Sequence, residues 1–271
     1  MFVDACQKTD NRYQSCMNKE SIMEELYEKY SKSINAVDDA IEMIAKLPKS
    51  KCYDAEYLER EFIPKLGLNN ESLHEQPQEL GPYFGMGLHL WQYPSQLAKY
   101  LVWLTHNTKS IENYTEIGCR WGGTFILINE WLKKVGSPLG FSLAIDPIAP
   151  TPFMQRYIEV SNTPVHYIQD LSTSLRAKEY LDSFKTHMVF IDGDHSLRGV
   201  MQDHLLVRNS ADIIVHHDVL SDACPDTTLF WDYIKHAESD FKAYEFCQQY
   251  NSVQGNFLGL GALKRIEKRQ D

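Results

Sequence analysis

The sequence predicts an α/β fold, a largely parallel sheet with helices on both faces, preceded by a helical extension. Three observations carry this. Apolar runs of strand length alternate with helix-length amphipathic patterns through the second half of the chain. The stretch Tyr114 to Thr124 reads as a strand, a glycine turn and a helix start. Ionisable residues stand just past two apolar runs, at Asp192 to His195 and at His216 to Asp218, where open α/β sheets bind their ligands.

Composition narrows the function. The chain has 271 residues, 43% hydrophobic and 24% charged, enough for a substantial core and unlike a disordered segment. A net charge of −10, with no basic run interleaved with aromatics, argues against nucleic acid as a partner. The basic cluster Lys264-Arg265 and Lys268-Arg269 reads as a solvated tail. Cysteines at 6, 16, 52, 119, 224 and 247 form no C-x-x-C pair, so the spacing suggests neither a zinc motif nor a disulfide framework. Reduced thiols in a cytoplasmic protein are expected. No secretory pattern opens the sequence, and no apolar run approaches the roughly 20 residues of a membrane span.

Residues 1–18 are polar. From Lys19 to Leu47, Ile22, Leu26, Tyr30, Ile34, Val37, Ile41 and Ile44 recur at helical spacing, and Pro48 ends the pattern. A second helix is expected from Asp54 to Phe62, stopped near Pro64. Residues 65–90 are rich in Gly, Pro and Asn and mark the boundary between an N-terminal helical cap, residues 1–80, and a catalytic domain, residues 81–271. The cap would cover a substrate or join two copies of the chain through its helices. A helix from Ser95 to Thr105 precedes the first strand. Tyr93 and Gln96 beside it either reach a ligand or pack.

The first strand ends at Glu116-Ile117. Gly118 permits a sharp turn, Gly122 and Gly123 permit close backbone approach to a ligand, and the helix beginning at Thr124 offers free N–H groups. A dinucleotide site wants G-x-G-x-x-G, but Arg120 occupies the place of the second glycine. A second strand, Gly140 to Ile145, ends at Asp146, where a carboxylate can accept from ribose hydroxyls or serve as a turn residue. A helix over 150–160 and a strand from Val165 to Gln169 follow. Asp170 is then a ligand contact or the N-cap of a helix from Ser172 to Ser183. Met188 to Ile191 is apolar throughout, as a central parallel strand is. Leu197, Val200, Met201 and Leu205 give a helix stripe, and Ala211 to Val215 a fifth strand. Asp192, His195 and Asp218 lie at the ends of strands expected to be neighbours, about 5 Å apart, so they can converge. His216 should point away from His217 and pack; His187 and His204 are structural. Asp194 either orients His195 or faces water. A helix from Thr227 to Ala237, with Leu229, Phe230, Tyr233 and Ile234 inward, precedes strands at 241–246 and 257–264.

The pattern E-I-G-x-x-x-G-G-T resembles motif I of the class I S-adenosylmethionine (SAM) methyltransferases. Taken with AIDP, FIDGDHSLRGVMQD and IIVHHDVL, it resembles the macrocin O-methyltransferase and cephalosporin-hydroxylase-like branch over roughly residues 90–264. The resemblance implies a Rossmann-like sheet of order 3-2-1-4-5-7-6 and SAM-dependent transfer of a methyl group to a hydroxyl of a small metabolite. It implies cofactor contacts from Glu116, Gly118, Cys119, Gly122, Thr124, Asp146, Asp170 and Asp192. As in its metal-dependent members, a divalent cation, Mg2+ or another, would sit on Asp192 and Asp218 with His195 as general base; the alternative is a metal-free enzyme with His195 as base. This chain has His217 where related sugar methyltransferases have a carboxylate and Val219 where catechol-type enzymes have asparagine. His217 would then be the third ligand, favouring a transition metal. Two other outcomes fit the same residues: a SAM-binding subunit without turnover, and a hydroxylase-like reaction on the same fold.

Overall fold

The structure, a computed structural model, describes residues 34–71, 75–108 and 110–266. The apolar stripe expected over 19–33 and the basic residues 268–269 lie outside the described residues. Helix α1 (Asn35–Lys46) ends where Pro48 forces Leu47 out of helical geometry. The second helical stretch does not stop at Pro64. It runs through Ala55–Tyr57, a π-helical turn at Leu58–Phe62, and Ile63–Leu66. Widening the turn ahead of Pro64 accommodates the missing N–H and the ring, so the chain stays helical to Leu66.

The remaining elements are α2 (Pro94–Thr105), β1 (Asn113–Ile117), α3 (Gly123–Lys134), β2 (Phe141–Asp146), α4 (Pro152–Val160), β3 (Val165–Gln169), α5 (Leu175–Ser183), β4 (Met188–Ile191), α6 (Leu197–Val207), β5 (Ile213–His217), α7 (Pro225–Ala237), β6 (Phe241–Phe246) and β7 (Leu260–Arg265). The seven strands order β3-β2-β1-β4-β5-β7-β6, with β7 antiparallel to both neighbours. This is the Rossmann-like order the sequence resemblance implies.

Strand alternation builds a core on each face. Met188, Phe190, Ile213 and Val215 join the core under α2 and α3, which also takes Val37, Ala40 and Ile44 of α1. Val189, Ile191 and Ile214 join the core that receives Val200 and Val207 of α6 and Phe230 and Trp231 of α7. The described part of the N-terminal extension is therefore continuous with the first core. Two inward stripes differ from expectation. On α6, Leu197, Met201 and Leu205 are exposed, while Val200, Asp203, His204 and Val207 face inward. On α7, Leu229 and Tyr233 are exposed and Trp231 takes the inner position beside Phe230 and Ile234. Packing against the sheet, not the apolar stripe, sets both rotations. β5 begins two residues later than expected and carries His216 and His217 as its last two residues.

The strand tips are pinned together where the ligand end of the sheet begins. Gly118 donates to the carbonyl of Ile145 at 2.8 Å, and Asp192 to the carbonyl of Ile117 at 2.8 Å. Gly118 has φ +83°, and a Cβ there would lie 2.0 Å from the carbonyl oxygen of Asp192. Gly118→Ala should therefore destabilise the fold by at least about 2 kcal/mol, through left-handed strain and displacement of a strand tip. Denaturant unfolding checks this.

Candidate functional site

The glycine turn is fastened by Asp146. Its Oδ2 accepts from the N–H of Cys119 at 2.9 Å and of Arg120 at 2.8 Å, and its Oδ1 from Ile148 N–H at 3.0 Å. The anion this turn holds is thus the chain's own carboxylate. Each carboxylate oxygen has two acceptor positions, so one remains, on Oδ1. Burial pushes the Asp146 carboxyl up, against the pull of these N–H groups. Gly122 and Gly123 also have a packing role that the sequence does not show. A Cβ on Gly122 would meet Met154 Sδ at 2.4 Å, and one on Gly123 the carbonyl of Leu88 at 2.2 Å. Both glycines let protein pack closely on protein on their Cβ side, and both also line the smaller of two cavities at this turn.

Two cavities open on this turn. The larger, about 580 Å3, is lined by Gly118, Asp146, Ile148, Asp170, Ser172, Arg198 and Asp203 among others. The smaller, about 250 Å3, is lined by Glu75, Trp91, Glu116, Cys119, Gly122, Thr124, His217, Asp218 and Cys224 among others. Gly118, Arg120, Asp192 and His195 line both, so the cavities meet across the tips of β1 and β4. Every site residue expected from the sequence lines one or the other. Glu116 is buried and accepts from the hydroxyl of Tyr114. Burial pushes its carboxyl well up, although the Tyr114 hydrogen bond works the other way.

Asp170 accepts from its neighbour Leu171 N–H at 2.8 Å and is not a helix cap; Ser174 caps α5. Asp194 accepts from Ser196 N–H at 2.9 Å in the turn before α6, so it does not orient His195. Tyr93 and Gln96 do not line either cavity. Tyr93 donates to the carbonyl of Glu75, and Gln96 accepts from Gly259 N–H at 3.1 Å. His216 packs against Phe230 and Trp231 and meets His204 at 3.2 Å. His187 pairs with Asn113 at 3.2 Å, as a structural histidine does.

Strand alternation turns His217 the other way, into the smaller cavity. Its Nε2 lies 3.2 Å from the carbonyl of Trp91, which can only accept, so Nε2 carries a proton. Nδ1 then faces Asp192 Oδ1 and Asp218 Oδ2, each at 3.3 Å. It is buried, and among the described residues neither contact has good hydrogen-bond geometry. A bare imidazole lone pair facing two carboxylates is repulsive. Either a proton or a cation at that point removes the conflict, and the three atoms lie within 4.8 Å of one another. Ligands of one small divalent ion sit about 3 Å apart, so these residues fit one. Desolvation opposes charge on His217, but the Asp192 and Asp218 charges win and push its imidazole well up. Desolvation likewise works to raise Asp192 and Asp218, and the His217 charge holds both below the usual carboxylate range. Asp218, the residue after β5, has φ +57°, a left-handed conformation Asp tolerates, and its carboxylate lies at the site.

His195 completes the cluster. Its Nε2 is 3.0 Å from Asp192 Oδ1 and 3.6 Å from Asp218 Oδ2. Its Nδ1 is 3.2 Å from Cys224 Sγ, which is also 3.3 Å from Asp218 Oδ2. The hydrogen bond with Asp192, and then that with Cys224, push up the imidazole to about 10. Cys224 carries no motif that marks it in the sequence. The available signal was its position, directly before Pro225 at a helix start and six residues after Asp218. In the sequence Arg120 shows only as a break in the glycine pattern. It stacks over Trp91 at 4.4 Å and pairs with Glu71 at 2.6 Å, spanning both cavities.

No protein-family model and no curated protein matches this chain. Solved structures resemble it in fold. Cofactor-bound Rv0187 from MTB is 19% identical, over 64% of this chain and 81% of that one, with a TM-score of 0.46. M. capricolum TrmK in complex with S-adenosyl-homocysteine is 12% identical, over 62% and 70%, with a TM-score of 0.40. The hMettl16 catalytic domain in complex with the MAT2A 3'UTR hairpin 1 is 11% identical, over 66% and 72%, with a TM-score of 0.42. The chain has a Rossmann-like α/β architecture, and among the described residues no helix is long and apolar enough to cross a membrane.

Asp203 gives a pH-dependent prediction. It is 3% exposed, accepts from Ser172, and burial pushes its carboxyl up to about 6 from an ordinary 3.8. The folded state then holds a proton that the unfolded state has lost, so stability falls as pH rises from about 4 to 6 and stays lower above that. Asp203→Asn should raise stability at pH 7 to 8 by about 2 kcal/mol, with the gain vanishing below pH 4. Thermal unfolding of both forms across that range checks this.

Proposed function

We propose that the chain transfers a methyl group from SAM to a hydroxyl of a small metabolite, such as a sugar or a polyol-bearing natural product. The observation that carries this is the junction of the two cavities at Gly118 and Asp192, with an acid–base cluster on the smaller side. In this reading the larger cavity takes the adenosine, with Asp170 and the remaining acceptor position of Asp146 toward it. The smaller takes the methionine end, near Glu116, Cys119 and Thr124, together with the acceptor. A space of about 250 Å3 suits a small group, and a charge of −10 disfavours a polyanionic substrate.

Transfer needs an oxygen nucleophile aligned with a sulfonium-bound methyl, and much of the acceleration comes from holding both reactants. The hydroxyl must also lose its proton. Asp192 holds Nε2–H of His195, which leaves Nδ1 as the accepting atom. Asp192, His217 and Asp218 would hold a divalent cation. When bound there it would offset the carboxylate charge that raises His195 and lower the pKa of the acceptor hydroxyl. Asp192 and Asp218 without compensating charge would keep His195 protonated and unable to serve as a base.

In a methyl-transfer screen over hydroxylated metabolites with labelled SAM, His195→Ala should lower turnover about 100-fold or more and leave the KM for SAM nearly unchanged. Full activity in that variant on the true substrate would remove His195 as base. Asp146→Ala should both weaken binding of S-adenosylhomocysteine and lower stability by about 1–3 kcal/mol, because the N–H groups of Cys119 and Arg120 lose their acceptor. Calorimetry and denaturant unfolding separate the two effects.

A further inference from the structure

The smaller cavity contains a second donor set, which shares His195 and Asp218 with the proposed methyl-transfer machinery and adds the Cys224 thiol, for which methyl transfer has no use. Cys224 Sγ, Asp218 Oδ2 and a ring nitrogen of His195 lie within 4.8 Å of one another. The sulfur is 3.2 Å from His195 Nδ1 and 3.3 Å from Asp218 Oδ2. Sulfur and nitrogen ligands of a tetrahedral zinc ion stand about 3.5 Å apart, so small shifts suffice. On the far side of the same ring, His195 Nε2 meets Asp192 Oδ1 at 3.0 Å. A metal-binding histidine characteristically donates its other N–H to a carboxylate, which leaves a lone pair directed at the ion. Here that lone pair points at the thiol. The buried Nδ1 of His217 lies 3.3 Å from the same Asp218 oxygen, outside good hydrogen-bond geometry, so positive charge is called for at this point. His195 is 42% exposed, which leaves a route for an ion to enter.

We propose that His195, Asp218 and Cys224 form a seat for a zinc-class transition ion, and that its occupancy inhibits the protein by taking the lone pair of His195. The donor set of thiolate, imidazole and carboxylate selects zinc or cobalt over magnesium. It differs from the Asp192, His217 and Asp218 set by the sulfur, with Asp218 common to both. Binding of the ion stands on the donors alone. The inhibition rests on the reading of His195 as the base.

The test uses the full chain, reduced and stripped of metal, titrated with Co2+ alone. A near-ultraviolet sulfur-to-cobalt charge-transfer band should appear in the unaltered protein and be lost in Cys224→Ser, with Cys224→Ala as a second variant. Cys224→Ser and His195→Ala should each weaken Co2+ binding at least about tenfold. Mg2+ should not displace the cobalt, and Zn2+ should. Cobalt binding without the band, a band that persists in both Cys224 variants, or no cobalt binding would each overturn the seat. Unchanged affinity in His195→Ala would remove histidine from it. With the band present, Zn2+ that leaves methyl transfer undiminished would overturn the inhibition while the seat stands. Absence of S-adenosylhomocysteine binding, measured separately, would instead count against the methyl-transfer reading.

Discussion

Two carboxylates, Asp192 and Asp218, stand at the ends of adjacent strands and must be matched by positive charge. Asp218 is buried and Asp192 is half-buried. An uncompensated pair in such surroundings is expensive, and removing one partner of a buried pair costs several kcal/mol. His217 is locked by the carbonyl of Trp91 so that its free nitrogen faces both carboxylates, and His195 touches both from the other side. With neutral imidazoles the cluster lacks two positive charges. Two protons supply them, or one divalent ion does. The proton affinity of His195, the fit of a cation and the surroundings of the Cys224 thiol all follow from that requirement.

The fold creates the requirement by simple periodicity. In a parallel strand buried on both faces, successive side chains enter opposite cores. His216 joins Phe230 and Trp231 on one side, and His217 therefore reaches the site on the other. The neighbouring register places Ile191 beside His216 and Ile117 beside Ile191, so the residues that follow these strand ends gather at one edge. Gly118 allows β1 to turn against the Asp192 carbonyl, and Asp146 ties the turn down. The cleft is thus assembled from backbone contacts that leave little freedom to the side chains lining it.

Much of this was legible in the sequence because it depends on local pattern. The glycine turn, the apolar run Met188 to Ile191 and the acids past the strand ends indicate the sheet and the convergence of Asp192, His195 and Asp218, while the strand order and the place of His217 come from the resemblance. What was not legible depends on contacts far apart in the chain. That Gly122 answers to Met154 and Gly123 to Leu88 is a matter of helix packing. That Asp146 spends three acceptor positions on backbone N–H groups needs the turn in three dimensions. The outward faces of α6 and α7 carry Leu205 and Tyr233, while Asp203 and His204 lie inside, where Ser172 and Glu238 pair them. Periodicity assigns such polar residues to the surface. Cys224 entered the cluster because α7 begins beside β5, which no spacing rule encodes.

The most direct measurement is calorimetric titration of the purified chain with S-adenosylhomocysteine, first in EDTA and then with added magnesium or manganese. The account predicts one site per chain with micromolar affinity in both conditions, since the two cavities meet across the tips of β1 and β4 and the proposed cofactor contacts do not depend on an ion. Absence of binding in both would contradict it, and the glycine turn would then be a scaffold fastened by Asp146 or the site of another ligand.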